Sequence, residues 1–421
     1  MRIVMMTNTY LPYVGGVAQS VARFAGAYRK QGHDVLVVAP EFEGQPENEE
    51  DVLRVPAIQH FNGSDFSVAL PVPLWLKHRL DQFQPDIVHS HHPFLLGDTA
   101  LRSTAARQLP LVFTHHTMYE EYTHYVPIDA PALAKSVVTL ATGYANLCEH
   151  VVAPSQRIER ILRERGVERP ITTIPTGVDT GRFQPAGGAE FRRKRGIPEE
   201  AFVVGHVGRL APEKNLDVLA RAAAAFLDMH ADAHLVVTGD GPSRQLMEAV
   251  FSEAGADART HFTGRLSGDG LIAAYSAMDV FFFTSKSETQ GMVLVEAMAV
   301  GKPVVALNAP PVDEVVVDTR NGRLIDSETP EALARGLASV REQDEEGRHA
   351  LSEGALETAR EFDTHRCAKR ALDLYAEVAE RYRKREPFDE AGWAALRERI
   401  EDEWQLWNNR LAAAKAALEK E

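Results

Sequence analysis

Two carboxylates frame the start of a helix late in the chain. The stretch from Ser287 reads Ser-Glu-Thr-Gln-Gly-Met-Val-Leu-Val-Glu-Ala-Met-Ala-Val-Gly-Lys-Pro, which sets Glu288 and Glu296 eight positions apart. From Met292 to Val300 only Glu296 is polar. An ionised carboxylate in an apolar run is costly unless it is paired or hydrogen-bonded. No basic residue lies within a helical turn of Glu296, so a ligand hydroxyl would serve as its partner. Gly291 marks the loop turning into the helix, whose first N–H groups, at Met292 and Val293, are free for an anion. Gly301-Lys302-Pro303 then ends the helix and Val304 opens a strand. Acid, anion site and acid in that order suit a ligand built from hydroxyls, a diphosphate and further hydroxyls, the layout of a sugar nucleotide.

A second cluster supplies positive charge. Gly205-His206-Val207-Gly208-Arg209-Leu210-Ala211-Pro212-Glu213-Lys214-Asn215 follows an apolar strand pattern. Arg209 and Lys214 straddle a proline turn, and Asn215 is placed to cap the next helix. Two cations on a loop above a parallel sheet suit a diphosphate. Gly239-Asp240-Gly241-Pro242 reads equally as a plain turn or a ligand loop. Val14-Gly15-Gly16-Val17, between the first strand and the first helix, leaves the same two readings open. Three histidines and three tyrosines crowd the segment from Phe113 to Tyr125, after another strand. Their spacing fits no helical metal pair, and no carboxylate pattern completes a zinc set.

The elements that must position these groups alternate. Ile3–Met6, Val35–Ala39, Ile87–His89, Leu111–Thr114, Val151–Ala153 and Thr172–Ile174 read as short apolar strands separated by helices. The pattern repeats at Val203–Val207, Leu235–Thr238, His261–Thr263, Val280–Thr284, Val304–Leu307 and Gly322–Ile325. Such alternation predicts parallel, doubly wound sheets. At 421 residues two domains are expected, split near residue 181, with a long amphipathic helix at 364–385. Trp393, Leu396, Ile400, Trp404, Trp407 and Leu411 form one apolar face in an extra segment, 386–421. An appended helix on its own chain, a homodimer seam and a membrane-surface helix are the three readings of that face.

A net charge of −14 argues against nucleic acid. Two cysteines far apart read as reduced thiols in a cytoplasmic protein. The opening residues turn polar too soon for a signal peptide, and no apolar run approaches a membrane span. Any membrane contact is therefore expected to be peripheral, on the inner face of the cell membrane.

Glu288 and Glu296 resemble the paired glutamates of the retaining glycosyltransferases of family 4, and Gly208 to Asn215 resembles that family's phosphate clamp. The resemblance covers roughly residues 1 to 385. It implies an α/β GT-B fold: two Rossmann-like domains facing each other across a cleft, here with an extra C-terminal helix. The acceptor would lie on 1–180, on which helix 364–385 packs back, and the nucleotide-sugar on 181–363. The resemblance implies donor contacts from Gly15, Gly16, Arg209, Lys214, Leu266, Ser267, Glu288, Gly291, Met292, Val293 and Glu296. Catalytic roles would fall to His116, Glu288, Arg209 and Lys214, with the two cations and the helix start replacing a metal. No cofactor is expected. Domain closure about residues 177 to 185 would exclude water.

Within the family, His116-Thr-Met-Tyr119-Glu-Glu-Tyr122-Thr-His124-Tyr125 looks like diacylglycerol glucosyltransferases, as does Val88-His-Ser-His-His-Pro-Phe-Leu-Leu-Gly97. That subgroup implies acceptor contacts from Tyr119, Tyr122 and His124, and a lipid acceptor at a membrane surface. Thr9 and Ala18 differ from the aromatic residue and glutamine of phosphatidylinositol mannosyltransferases, which disfavours an inositol acceptor. The alternatives are a GDP-mannose-dependent mannosyltransferase, transfer to a soluble sugar, and a UDP-sugar epimerase of the same fold.

Overall fold

A computed structural model of the chain describes residues 1–13, 15–58, 68–69, 74–119 and 130–384. The chain divides into two compact units. The first holds Met1–Ala153, Ile158–Thr173 and the chain from Arg370, and the second holds Pro154–Arg157 and Ile174–Lys369.

The first unit is wound on a seven-stranded parallel sheet. Its elements are β1 (Arg2–Met6), α1 (Gly16–Lys30), β2 (Asp34–Pro40), β3 (Val52–Val55), β4 (Ala57–Ile58), β5 (Val68–Ala69), α2 (Leu74–Phe83), β6 (Ile87–Ser90), α3 (Leu96–Arg107), β7 (Leu111–Thr114), α4 (Ala130–Leu147), β8 (His150–Ala153), α5 (Gln156–Glu164) and β9 (Ile171–Thr173). The strand order is β3-β2-β1-β6-β7-β8-β9, and β4 and β5 form a separate antiparallel pair. The central strands are buried on both faces, which explains their unbroken apolar sequences. Val4, Val38, Val88, Phe113 and Val151 meet the helices in one core.

The second unit repeats the plan with α6 (Gly188–Lys194), β10 (Phe202–Val207), α7 (Leu216–Met229), β11 (Ala233–Thr238), α8 (Arg244–Glu253), β12 (Thr260–Gly264), α9 (Gly268–Ser276), β13 (Val280–Phe283), α10 (Met292–Ala299), β14 (Val304–Leu307), β15 (Gly322–Ile325), α11 (Pro330–Arg341) and α12 (Glu345–Glu361). Its six parallel strands run β12-β11-β10-β13-β14-β15. Two cores flank this sheet, one on each face. The order reverses between β10 and β13, the place where doubly wound sheets open a ligand crevice. The last helix, α13 (Thr364–Lys384), starts in the second unit and from Arg370 belongs to the first.

After the short stretch Pro154–Arg157, the chain passes into the second unit again at Ile174. Tertiary pairing sets that point: Thr176 exchanges two hydrogen bonds with the Gln290 side chain, and Val178 bridges to Asp363. Strands β3, β4 and β5 were not anticipated from sequence. The apolar helical face proposed for 386–421 lies outside the described residues. No described helix is long and apolar enough to cross a membrane. Cys148 and Cys367 are both buried, and neither is in a disulfide.

Candidate functional site

In the second unit the predicted donor residues gather at the carboxyl ends of adjacent strands. Arg209 and Lys214 lie on the loop after β10, and Glu288 and Gly291 on the loop after β13. Lys214 Nζ donates to Glu288 Oε1 at 2.7 Å, with both side chains mostly buried. Burial pushes the Glu288 carboxyl upward, but the Lys214 charge and hydrogen bond outweigh it and hold the group below its usual value. This pair joins residues 74 positions apart, so neither loop alone reveals it. Arg209 is half exposed and ion-paired with Glu213, a partner that the sequence argument did not assign.

Gly291 adopts the left-handed conformation (φ 71°, ψ 51°), where a side chain would be strained, and is the N-cap of α10. Met292 and Val293 follow as the first helical residues, partly buried against the core. Glu296 is 7 % exposed, and its Oε2 accepts from the Tyr275 hydroxyl at 3.1 Å. A protein hydroxyl thus meets the need that sequence reasoning assigned to a ligand, because α9 packs beside α10. Leu266 packs on the core and Ser267 is the exposed N-cap of α9, both just beyond β12.

Three supporting features emerge only in three dimensions. Gln290 links the loop after β13 to the Thr176 backbone. Asn215 does not cap α7 with its side chain, contrary to expectation. It sits at φ 57°, and its Nδ2 donates to Thr284 O and Glu328 Oε1, joining the two site loops. Gly239 and Gly241 have φ of 137° and 151°, and a Cβ on either would strike the backbone of Gly208 or Leu210. Leu210 N donates to Asp240 O and Ser243 N to Leu210 O, so this turn buttresses the cation loop. Close backbone approach accounts for the Gly-Asp-Gly-Pro sequence.

In the first unit the site is a buried polar cluster at the ends of β1, β6 and β7. His116 is 9 % exposed, and its Nε2 lies 2.9 Å from His91 Nδ1. His89 bonds Thr114 and Tyr375, and His92 Nδ1 accepts from the Asn8 backbone at 3.1 Å. Burial lowers every one of these rings: His89, His92 and His115 to about 3, and His91 and His116 well below the ordinary value, with neighbouring rings adding to the effect in the last two. All are neutral at physiological pH. Among the described residues, Thr9 Oγ1, His91 Nε2, both His115 nitrogens and the Tyr119 hydroxyl are buried without hydrogen-bond partners. Buried polar atoms are nearly always satisfied, so this density marks a place built for something polar. Tyr119 rests edge-on against Phe94 and His115. Tyr122 and His124 lie outside the described residues. Gly15 is the N-cap of α1 and Gly16 its first residue, and a Cβ on Gly16 would meet nothing within 4 Å. No group of three described His, Cys, Asp or Glu side chains is arranged to hold a metal ion.

Two doubly wound parallel domains, the second with an acid–cation pair at its switch point, match the architecture of glycosyltransferases of GT-B fold. HepE of Anabaena, solved with UDP and glucose, shares that fold at TM-score 0.70 and 21 % identity, over 89 % of this chain and 99 % of its own. Residues 14–182 match the model of Glycosyltransferase Family 4 and residues 188–358 that of Glycosyl transferases group 1. The alpha-monoglucosyldiacylglycerol synthase of Streptococcus pneumoniae is 28 % identical over 86 % of this chain and 83 % of its own. A GDP-mannose-dependent alpha-mannosyltransferase of Mycobacterium tuberculosis is 32 % identical over 77 % of this chain and 83 % of its own. The chain belongs to glycosyltransferase family 4.

Proposed function

We propose that the protein transfers a hexose, with retention of configuration, from a nucleotide-sugar such as UDP-glucose to a hydroxyl of a diacylglycerol-type lipid. The observation that carries the donor half is the Lys214–Glu288 pair beside the N-terminus of α10. Lys214, Arg209 and the first amides of α10 would neutralise the departing diphosphate, the part a metal plays in other transferases. Glu288 would orient sugar hydroxyls, and Glu296 the ribose. His116 would contact the transferred sugar, and a leaving phosphate oxygen would take the acceptor proton.

The lipid acceptor is supported by the likeness to a glucosyldiacylglycerol synthase and by the buried polar cluster around His116 and Tyr119. Work at a membrane surface goes with it, and no described helix spans one. The mannosyltransferase likeness favours a second reading, GDP-mannose as donor. The test is a matrix of UDP-glucose, UDP-galactose, UDP-N-acetylglucosamine and GDP-mannose against diacylglycerol in micelles and soluble sugars, with donor loss and product anomer followed. Glucosyl lipid of retained configuration is the expected product. Efficient transfer to a soluble sugar alone overturns the acceptor, and donor conversion without acceptor points to an epimerase.

A further inference from the structure

His206 has no role in the site as described so far. It lies on β10 and is 2 % exposed. Backbone pairing of β10 with β13 covers Val204–Val280 and Gly205–Phe281 and goes no further. His206 comes next, and its Nδ1 reaches the Phe282 carbonyl at 3.1 Å. The ring lies between 6.2 and 6.3 Å from those of Phe281 and Phe283, nearly parallel to both. The side chain therefore continues the ladder where the backbones part, at the point where the strand order reverses.

A carbonyl oxygen only accepts, so Nδ1 carries the proton. A neutral imidazole has one N–H, which leaves Nε2 a bare lone pair. That atom is buried and has no hydrogen-bond partner among the described residues. It lies 3.4 Å from where a Cβ on Gly208 would be, under the start of the cation loop. Burial lowers the ring to about 4, against the pull of the Phe282 bond, so it is neutral at physiological pH. The nearby charge of Lys214 lowers it further, and that of Glu288 raises it.

We infer that His206 Nε2 accepts a hydrogen bond from a hydroxyl of the sugar moiety of a bound nucleotide-sugar. The inference rests on the donor site proposed above for this unit. A phosphate oxygen is itself an acceptor and cannot bond a bare lone pair. A ribose hydroxyl is disfavoured, because His206 lies under the loop of Arg209 and Lys214, and Lys214 is bonded to Glu288, whereas Glu296 is bonded to Tyr275 on α9. His206 thus adds affinity that depends on the sugar and none for the nucleotide diphosphate alone.

The experiment compares the whole chain with His206→Phe and His206→Gln by calorimetric titration with UDP, GDP, UDP-glucose and GDP-mannose at neutral pH. Phenylalanine removes the acceptor, whereas glutamine offers an N–H to Phe282 and a carbonyl to the ligand. In His206→Phe the favoured diphosphate should bind within about twofold of the parent, while its sugar nucleotide weakens about tenfold, the scale of one neutral hydrogen bond. His206→Gln should recover most of that loss. Equal loss for both ligand types, or none for either, overturns the inference and leaves the donor site standing. Absence of binding by the parent to all four ligands overturns the donor site, and the inference with it. Should the phenylalanine variant not fold, the parent with 15N-labelled histidine answers the question. The bare Nε2 resonance should move with the sugar nucleotide and stay with the diphosphate, and movement with both to the same extent overturns the inference.

Discussion

At the scale of single residues, the Lys214–Glu288 bond is the centre of the proposed donor site. Lys214→Ala should lower turnover by on the order of 100-fold, because a cation facing the leaving diphosphate is lost. Steady-state rates within about threefold of the parent would return Lys214 to a structural role. The same pair has a pH signature. The Glu288 carboxyl is depressed in the folded state, so its stabilising share is present above the ordinary carboxylate range and fades as pH falls through the depressed value. Urea unfolding from neutral to acid pH should therefore show a smaller acid loss in Lys214→Ala than in the parent. Glu296→Gln is a cleaner probe. Its amide oxygen can still accept from Tyr275. Nucleotide diphosphate and donor should weaken alike if this residue holds the ribose. Unchanged nucleotide affinity in a titration would remove Glu296 from the site.

At the scale of elements, two loops carry the proposed donor residues, and a third turn buttresses the first of them. The Gly239–Pro242 turn lies on the backbone of the cation loop with no room for a Cβ. Gly239→Ala should cost about 2 kcal/mol or more, since it combines an unfavourable φ with a backbone clash. It should also weaken diphosphate binding without touching the ligand. Urea midpoints and titration together check this, and a variant as stable as the parent would mean the turn is free to move. Strand positions were legible from apolar runs, because strands buried on both faces have no other composition available. β3 was not, since its four residues, Val-Leu-Arg-Val, follow an acidic loop and owe their extension to pairing with β2.

At the scale of the whole molecule, two properties of the reaction are open to test. Activity should survive EDTA if Arg209, Lys214 and the start of α10 supply the charge that a metal would. Loss with chelator and rescue by magnesium or manganese would give that work to a metal. Binding to anionic vesicles should be modest, since the chain carries a net charge of −14, and the attraction of a weakly basic local surface should fade as salt rises. Flotation assays over a salt series measure this, and salt-independent binding would point to apolar insertion instead.

Sequence alone determined the doubly wound class and supplied the candidate site residues; His116 came through the family resemblance, and Glu288, Glu296, Arg209 and Lys214 through their surroundings. These were legible because each depends on local order: a glycine before a helix, a cation on a loop after a strand, a carboxylate in an apolar run. Tertiary structure decided the partners. Tyr275 for Glu296, Lys214 for Glu288, His91 for His116 and Phe282 for His206 are separated by 21, 74, 25 and 76 residues. It also turned Asn215 from a cap into a link between loops. A histidine in an apolar strand was the one signal for His206, and nothing in its neighbours told a structural ring from a binding one. Periodicity and turn chemistry act over a few residues, whereas hydrogen-bond partners are chosen by which strand ends the fold brings together.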